Sequence, residues 1–193
     1  MLLILDSGHC EYVAGKEAPN KSMREWEFNN YMQQRIMGMA KHHGIEVYLT
    51  NPSPEKKNEI GLSKRAQLAN DYWTKKGKPR ALFISLHANA YGNEFNSARG
   101  TETFVAKNAS SNSKRAAKIM NDEVVRAFRC IDEKAKDRGV KVENFTVIYK
   151  AAMPSILVEY GFYTNREDLC VLKCYREELV QATVNAVKLY FGV

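Results

Sequence analysis

The chain has 193 residues and is 45% hydrophobic, enough to build a core without disulfides or a structural metal. Its formal net charge of +7 favours an acidic partner. The cationic side chains are scattered rather than interleaved with aromatic residues in one stripe, so we expect no nucleic-acid partner. The four cysteines lack the spacing of a structural zinc site and are expected to be buried free thiols.

Short apolar runs alternate with helical patterns along the chain. The predicted strands are residues 2–5, 46–49, 81–86, 101–105, 146–149 and 155–158. The predicted helices are residues 23–41, 63–73, 113–128, 165–173 and 175–190. Several of the strands are apolar throughout, which is typical of strands covered on both faces. The pattern predicts one α/β domain over residues 1–193, with a mainly parallel, twisted sheet of about six strands and helices on both faces.

The first predicted helix has recognisable start and stop signals. Ser22 is expected to cap it, with Glu25 as the third position of a capping box. Gly44 follows the helix as a stop signal.

Two of the four histidines stand at the ends of predicted strands: His9 in the turn after residues 2–5, and His87 at the end of residues 81–86. Ligands in open α/β sheets bind beyond the carboxyl ends of strands, so His9 and His87 are both expected at that edge. Imidazole is the most frequent metal ligand in proteins, and the pair therefore indicates a metal site. His42 and His43, near the end of the first predicted helix, are interpreted as solvated surface residues.

A third ligand is sought among the acidic residues. A catalytic zinc ion usually has three protein ligands and a water molecule. Glu25 and Glu27, at the start of the first predicted helix, are the nearest candidates. Because they are two residues apart, they point in different directions on a helix, and only one is expected to bind the metal.

Glu159 ends an apolar predicted strand, where a charge is costly unless it has a purpose or a partner. Zinc-dependent hydrolysis needs a carboxylate that takes a proton from water and passes it on, and Glu159 fits this role. The alternative is a structural carboxylate that caps a neighbouring helix or pairs with Arg138.

Four sequence blocks carry a family resemblance: LDSGH, REWEFN, FISLHAN and MPSILVEYGFYTN, at residues 5–9, 24–29, 83–89 and 153–165. Smaller matches are Arg65 with residues 69–70, GTET at 100–103 and RGVK at 138–141. Together they resemble the zinc-dependent N-acetylmuramoyl-L-alanine amidases of the amidase-3 type, from about residue 3 to the C-terminus. The Glu-Trp-Glu-Phe-Asn variant is similar to a phage-lysin-like branch. The sequence departs from the family pattern at Ser7, where proline is usual, and at Cys10, where a small residue is usual.

This resemblance implies a hydrolase that cuts the amide bond between the lactyl carbonyl of N-acetylmuramic acid and L-alanine of the peptidoglycan stem peptide. It implies Zn²⁺ held by His9, Glu25 and His87. Glu25 is chosen over Glu27 because the glutamate ligand of the family usually lies four residues before an asparagine. Glu159 is then the base that activates water and the acid that protonates the departing alanine nitrogen.

Other site residues are expected to have supporting roles. Asn89 is expected to orient the site or substrate, or else to satisfy backbone groups in its turn. Arg138 is expected to bind a stem-peptide carboxylate in a bidentate manner, or else to form a surface salt bridge. Cys10 is expected to line the pocket. Two other functions stay open: a zinc peptidase of similar fold that cuts within the stem peptide, and a non-catalytic cell-wall-binding module.

The sequence also indicates where the protein acts. The start MLLILDSGHC has no basic leader and no small-residue cleavage site, so we expect no signal peptide. No stretch approaches the roughly 18 apolar residues needed to span a bilayer, so we expect no membrane insertion. We expect a monomer that is made in the cytoplasm and reaches the peptidoglycan by phage-type release or another route.

Overall fold

A computed structural model describes residues 1–54 and 59–193. Its strands are β1 (Leu2–Ser7), β2 (Glu46–Leu49), β3 (Ala81–Asn89), β4 (Thr101–Val105), β5 (Asp137–Val142) and β6 (Ser155–Phe162). They form one six-stranded sheet in the order β2-β1-β3-β6-β4-β5. Neighbouring strands are parallel except for β4 and β6, which are antiparallel.

Helices cover both faces of this sheet. They are α1 (Glu25–His42), α2 (Leu62–Lys75), α3 (Ser111–Ile131), α4 (Thr146–Tyr149), α5 (Arg166–Cys174) and α6 (Arg176–Phe191). Alternate residues of β1 serve the two faces, because successive side chains of a strand point in opposite directions. Leu3 and Leu5 belong to the core cluster that includes residues of α1, α3, α5 and α6, whereas Leu2 and Ile4 belong to the cluster that includes residues of α2 and α4. The predicted mainly parallel α/β sheet of about six strands is therefore confirmed.

One predicted strand is wrong, and one observed strand was not predicted. Residues 146–149 form the short helix α4, in which Val147 and Ile148 are buried. Four apolar residues cannot be told from one buried helical turn by periodicity alone. The sixth strand is β5, which lies at the edge of the sheet and pairs with β4. Its sequence DRGVKV is charged, as is typical of edge strands, and lacks the apolar run that identified the others.

The start of α1 also differs from its prediction. The helix begins at Glu25, and Arg24 occupies the cap position in an extended conformation without a side-chain cap. Ser22 is not the cap, because the Glu25 N–H donates instead to the carbonyl of Lys16, at 2.8 Å. Gly44 ends the helix as predicted, with a φ of 70°.

The cysteines are free, as expected, but only one of them is buried. Cys10 lies in the turn region after β1, whereas Cys130, Cys170 and Cys174 are exposed on α3 and α5. The prediction that all four are buried is wrong, because these three lie on helix faces that point to solvent.

A buried ion pair anchors the end of β1. The Arg65 side chain on α2 is 1% exposed, and its Nη1 lies 3.4 Å from Oδ2 of Asp6. Nη1 also donates to the carbonyl of Ser7 at 3.1 Å. Asp6 accepts further hydrogen bonds from the hydroxyl groups of Thr50 and Ser85, at 2.6 and 2.8 Å. This network joins α2, β1, β3 and the end of β2 directly below the turn that carries His9.

Candidate active site

His9 lies in the turn that follows β1. Its φ of 60° is in the left-handed region, which non-glycine residues adopt rarely and mostly in turns or functional sites. The side-chain amide of Asn51 donates to the carbonyls of Ser7 and His9, at 3.0 and 3.1 Å. These bonds fix the turn and hold the imidazole at the carboxyl edge of the sheet.

Gly8 lets this turn approach the end of β3. A Cβ atom at residue 8 would lie 2.2 Å from Cε1 of His87 and 2.5 Å from its Nε2. Such distances are well inside van der Waals contact, so any side chain here would displace the imidazole. Glycine at position 8 is therefore required for the position of His87.

We expect the substitution Gly8→Ala to lower zinc affinity about 10-fold to 100-fold, because overpacking strain of about 1–3 kcal/mol falls on His87. Gly38→Ala is the control, since a Cβ atom there meets nothing within 4 Å inside α1. The control should stabilise the fold by about 0.5–1 kcal/mol and leave zinc binding unchanged. Competition with a chelator of known affinity measures both variants, and wild-type affinity in Gly8→Ala would contradict the close approach.

The N-terminal half of α1 presents a buried polar face to the same turn. Glu25, Asn29 and Gln33 are spaced by four residues, which places them on one side of the helix. Asn29 donates to the carbonyl of Gly8 at 3.0 Å and to Oε1 of Glu25 at 3.4 Å. Gln33 accepts the backbone N–H of Ser7 at 3.2 Å. These bonds dock the helix against the turn and orient the carboxylate of Glu25.

His9, Glu25 and His87 come together at this edge, with one potential ligand atom from each within 4.8 Å of the others. Oε2 of Glu25 lies 3.4 Å from Nε2 of His9, and Oε1 lies 2.9 Å from Nδ1 of His87. Glu25 is 3% exposed, whereas Glu27 is exposed and lines a different surface depression. Two imidazole nitrogens and one carboxylate oxygen are a donor set that suits catalytic zinc.

The electrostatics of this group also suit a cation. Burial lowers the pKa of His9 to about 4 against the attraction of Glu25, so His9 is neutral at pH 7 and has a lone pair to donate. Burial alone would lower the pKa of His87, but its hydrogen bond to Glu25 and the charge of Glu25 raise it. Burial alone would raise the pKa of Glu25, and the same hydrogen bond to His87 lowers it. Glu25 thus attracts positive charge, whether a proton on His87 or a divalent cation.

Glu159 lies on β6, opposite His87 of β3 and Glu102 of β4 in the sheet register. Its Oε2 is sealed from solvent and has no hydrogen-bond partner in the described part of the chain. The pKa of Glu159 is raised to about 8, first by burial and then by the charges of Glu25 and Glu102, against the opposing effect of His87. Within residues 1–54 and 59–193, Glu159 caps no helix. The other structural alternative, a pair between Glu159 and Arg138, is also wrong, because the Arg138 guanidinium pairs with Glu102.

The two predicted substrate-binding residues meet at one carboxylate. Asn89 donates from Nδ2 to Oε1 of Glu102 at 2.7 Å, and Arg138 donates from Nε to Oε2 at 2.7 Å. Oδ1 of Asn89 also accepts a hydrogen bond from the N–H of Ala90 at 2.8 Å. The alternative role, in which Asn89 satisfies backbone groups in its turn, therefore holds for this oxygen. Sequence reasoning did not single out Glu102. An available signal was the charge of Glu102 inside a predicted strand, since a charge at the end of a strand had identified Glu159.

The remaining candidates lie outside the ligand group. Cys10 is buried near the turn but is not among the ligand atoms that converge in the described residues. His42 and His43 are exposed at the end of α1, as expected. None of the helices in residues 1–54 and 59–193 combines the length and apolar content needed to cross a bilayer.

Comparison with known proteins identifies the family. The Amidase_3 family model, described as N-acetylmuramoyl-L-alanine amidase, matches residues 3–188, so the chain belongs to this family. The chain is 26% identical over 171 residues to the N-acetylmuramoyl-L-alanine amidase CwlM of Bacillus licheniformis, covering 89% of this chain and 60% of that protein. It is 25% identical over 175 residues to the endolysin of Bacillus phage SPP1, covering 89% of this chain and 58% of that protein.

A solved structure shares the whole fold. The catalytic domain of CwlV, an N-acetylmuramoyl-L-alanine amidase from Bacillus (Paenibacillus) polymyxa var. colistinus, superposes with a TM-score of 0.82 at 26% identity. The match covers 100% of this chain and 98% of that domain. The predicted α/β fold is therefore shared with an amidase catalytic domain, and the chain spans about as much sequence as that domain.

Proposed function

We propose that this chain hydrolyses the amide bond between the lactyl carbonyl of N-acetylmuramic acid and L-alanine of the peptidoglycan stem peptide. The observation that carries the proposal is the convergence of His9, Glu25 and His87 beside the unpaired carboxylate of Glu159. Membership of the N-acetylmuramoyl-L-alanine amidase family supports the choice of bond. Residues 1–193 would then be a single catalytic amidase domain.

Zn²⁺ is the proposed cofactor, with His9, Glu25 and His87 as its protein ligands. The neutral His9 and the buried carboxylate of Glu25 fit this role. A bound zinc ion supplies a Lewis acid that makes water more acidic and polarises a carbonyl group. Asn29 orients Glu25 through its hydrogen bond, and Gly8 leaves room for His87.

Glu159 moves the proton in the proposed reaction. Its carboxylate takes a proton from the attacking water as the water oxygen bonds to the lactyl carbonyl carbon. The carbon–nitrogen bond to alanine then breaks, and the same proton passes to the departing nitrogen, which leaves poorly without it. The raised pKa suits a group that must first accept and then deliver a proton near neutral pH.

Asn89 and Arg138 are proposed to position the substrate. Hydrogen bonds to Glu102 hold both side chains beside the catalytic edge. Arg138 would contact a carboxylate of the stem peptide, and Asn89 would orient the site or the substrate. Peptidoglycan is thus the proposed partner, bound by a monomer without nucleic acid or membrane insertion. The similarity to a phage endolysin supports phage-type release as a route to the wall.

Chelation tests the metal requirement. Purified protein is stripped of metal and incubated with peptidoglycan, and newly released amino groups are counted before and after zinc is restored. We expect loss of more than about 95% of the activity on stripping and its recovery with zinc, because the metal provides several kcal/mol of transition-state stabilisation. Full activity of the stripped protein would overturn the zinc-dependent mechanism.

A further inference from the structure

A single buried carboxylate in the sheet holds two cationic side chains. Glu102 on β4 is 5% exposed in its side chain, and its Oε2 accepts hydrogen bonds from Arg138 and Lys141 of β5. Its Oε1 accepts the bond from Asn89. Burial alone would raise the pKa of Glu102, but Lys141 and Arg138 outweigh burial and lower it. Near neutral pH this group therefore has one negative and two positive charges.

This group of charges adjoins the candidate active site. Glu102 lies opposite Glu159 in the register of β4 and β6. Asn89 is two residues beyond His87 on β3 and pairs in register with Phe162. The Arg138 guanidinium carbon lies 4.9 Å from the centre of the Phe162 ring, at the carboxyl end of β6. Side chains from four neighbouring strands thus bring the surplus positive charge to the catalytic edge.

Both cations retain the capacity to bind an anion. Arg138 is 33% exposed and Lys141 is 39% exposed in their side chains. Arg138 uses Nε for Glu102, and its two terminal nitrogens have no acceptor in the described part of the chain. A guanidinium with free terminal nitrogens matches the two oxygens of a carboxylate, and an adjacent ammonium adds a further charge-assisted hydrogen bond.

We propose that Glu102 holds Arg138 and Lys141 as a subsite for a free carboxylate of the stem peptide. The inference rests on the proposed amidase function and adds Glu102 and Lys141 to it. Glu102 is a positioning residue, because its own oxygen atoms are occupied by Asn89 and the two cations. The surplus charge of the group makes the stem peptide bind through a carboxylate in preference to a neutral amide.

Three soluble substrates test this subsite, each an N-acetylmuramoyl tripeptide with L-alanine first. The first has a free α-carboxylate only on the second residue, the second has a free carboxylate only at the C-terminus, and the third has amides at both positions. For one of the two substrates that have a free carboxylate, we expect kcat/KM of the zinc-loaded wild-type protein to be about 10-fold to 100-fold higher than for the diamide. Most of this difference should come from a lower KM. The preferred substrate identifies which carboxylate is bound.

Variants separate recognition from a structural role. Arg138→Gln and Lys141→Met should each lower the carboxylate preference, the ratio of kcat/KM for the preferred carboxylate substrate to that for the diamide, at least about fivefold. Lys141→Arg should retain the preference. Lys114→Met removes one exposed charge from α3 and should change the cleavage of neither the carboxylate substrates nor the diamide. Thermal unfolding of each variant establishes that it is folded.

Two different failures can be distinguished. If the wild-type protein cleaves all three substrates equally well, the subsite is wrong while the amidase function stands. If Arg138→Gln and Lys141→Met lose cleavage of every substrate by the same factor, the cluster has a structural role only and the subsite is again wrong. If the wild-type protein with zinc cleaves none of them, the proposed function fails and the subsite fails with it.

Discussion

Replacement of Glu159 by glutamine is expected to lower kcat on peptidoglycan about a hundredfold to ten-thousandfold, which is the usual contribution of a general acid–base group. Glutamine has nearly the same shape but cannot take a proton from water. Because Oε2 of Glu159 has no hydrogen-bond partner in the described part of the chain, the substitution should leave the surrounding packing unchanged. Turnover on peptidoglycan, measured with zinc in excess, gives the result.

Stability should respond to Glu159→Gln in the opposite direction to activity. Glu25 and Glu102 repel the ionised Glu159 carboxylate, so above about pH 8, where the wild-type side chain is charged, the neutral glutamine should give a thermal midpoint at or above the wild-type value in the metal-free protein. Glu178→Gln, at an exposed position on α6, is the control and should alter neither property. A variant that keeps more than about a tenth of wild-type kcat would rule out Glu159 as the main proton carrier.

The matched pair Glu25→Gln and Glu27→Gln is expected to separate the metal ligand from its exposed neighbour. Glu25→Gln should lower zinc affinity more than about a hundredfold, because even the loss of an outer hydrogen-bonding partner costs about 10-fold to 100-fold. Glu27→Gln should bind zinc as the wild-type protein does, since this side chain is exposed and lies away from both histidines. Elemental analysis after equilibration with a competing chelator measures both.

Both variants make the same change in charge and lie within one helical turn, so general effects on α1 are matched. A loss of zinc in Glu27→Gln with retention in Glu25→Gln would reverse the assignment. Equal retention in both would remove the carboxylate ligand from the proposal.

The positions of the proposed metal ligands could be predicted where chain order alone determines them. His9 follows β1 and His87 lies near the end of β3, and the carboxyl ends of these parallel strands share one edge of the sheet. Glu159 was found because its charge ends an apolar strand. The choice of Glu25 over Glu27 required more than helix geometry. It came from the family spacing to Asn29, and the structure places the amide of Asn29 beside that carboxylate.

Features that depend on contacts between distant segments could not be predicted. The approach of the Gly8 turn to the His87 ring joins two strands, and no local pattern records that distance. The role of Glu102 depends on β5, whose charged sequence gave no strand signal. For the same reason, the pairing of Arg138 with Glu102 rather than Glu159 became visible only with the order of the strands.

The most direct test is the identity of the chemical ends made from purified peptidoglycan by the zinc-loaded protein. We expect new L-alanine amino termini and intact N-acetylmuramic acid with a free lactyl carboxylate, without new reducing sugars. New amino termini on residues beyond the first alanine would contradict the amidase assignment and indicate a peptidase that cuts within the stem peptide. Binding to peptidoglycan with no new ends of any kind would contradict catalysis itself and indicate a wall-binding module.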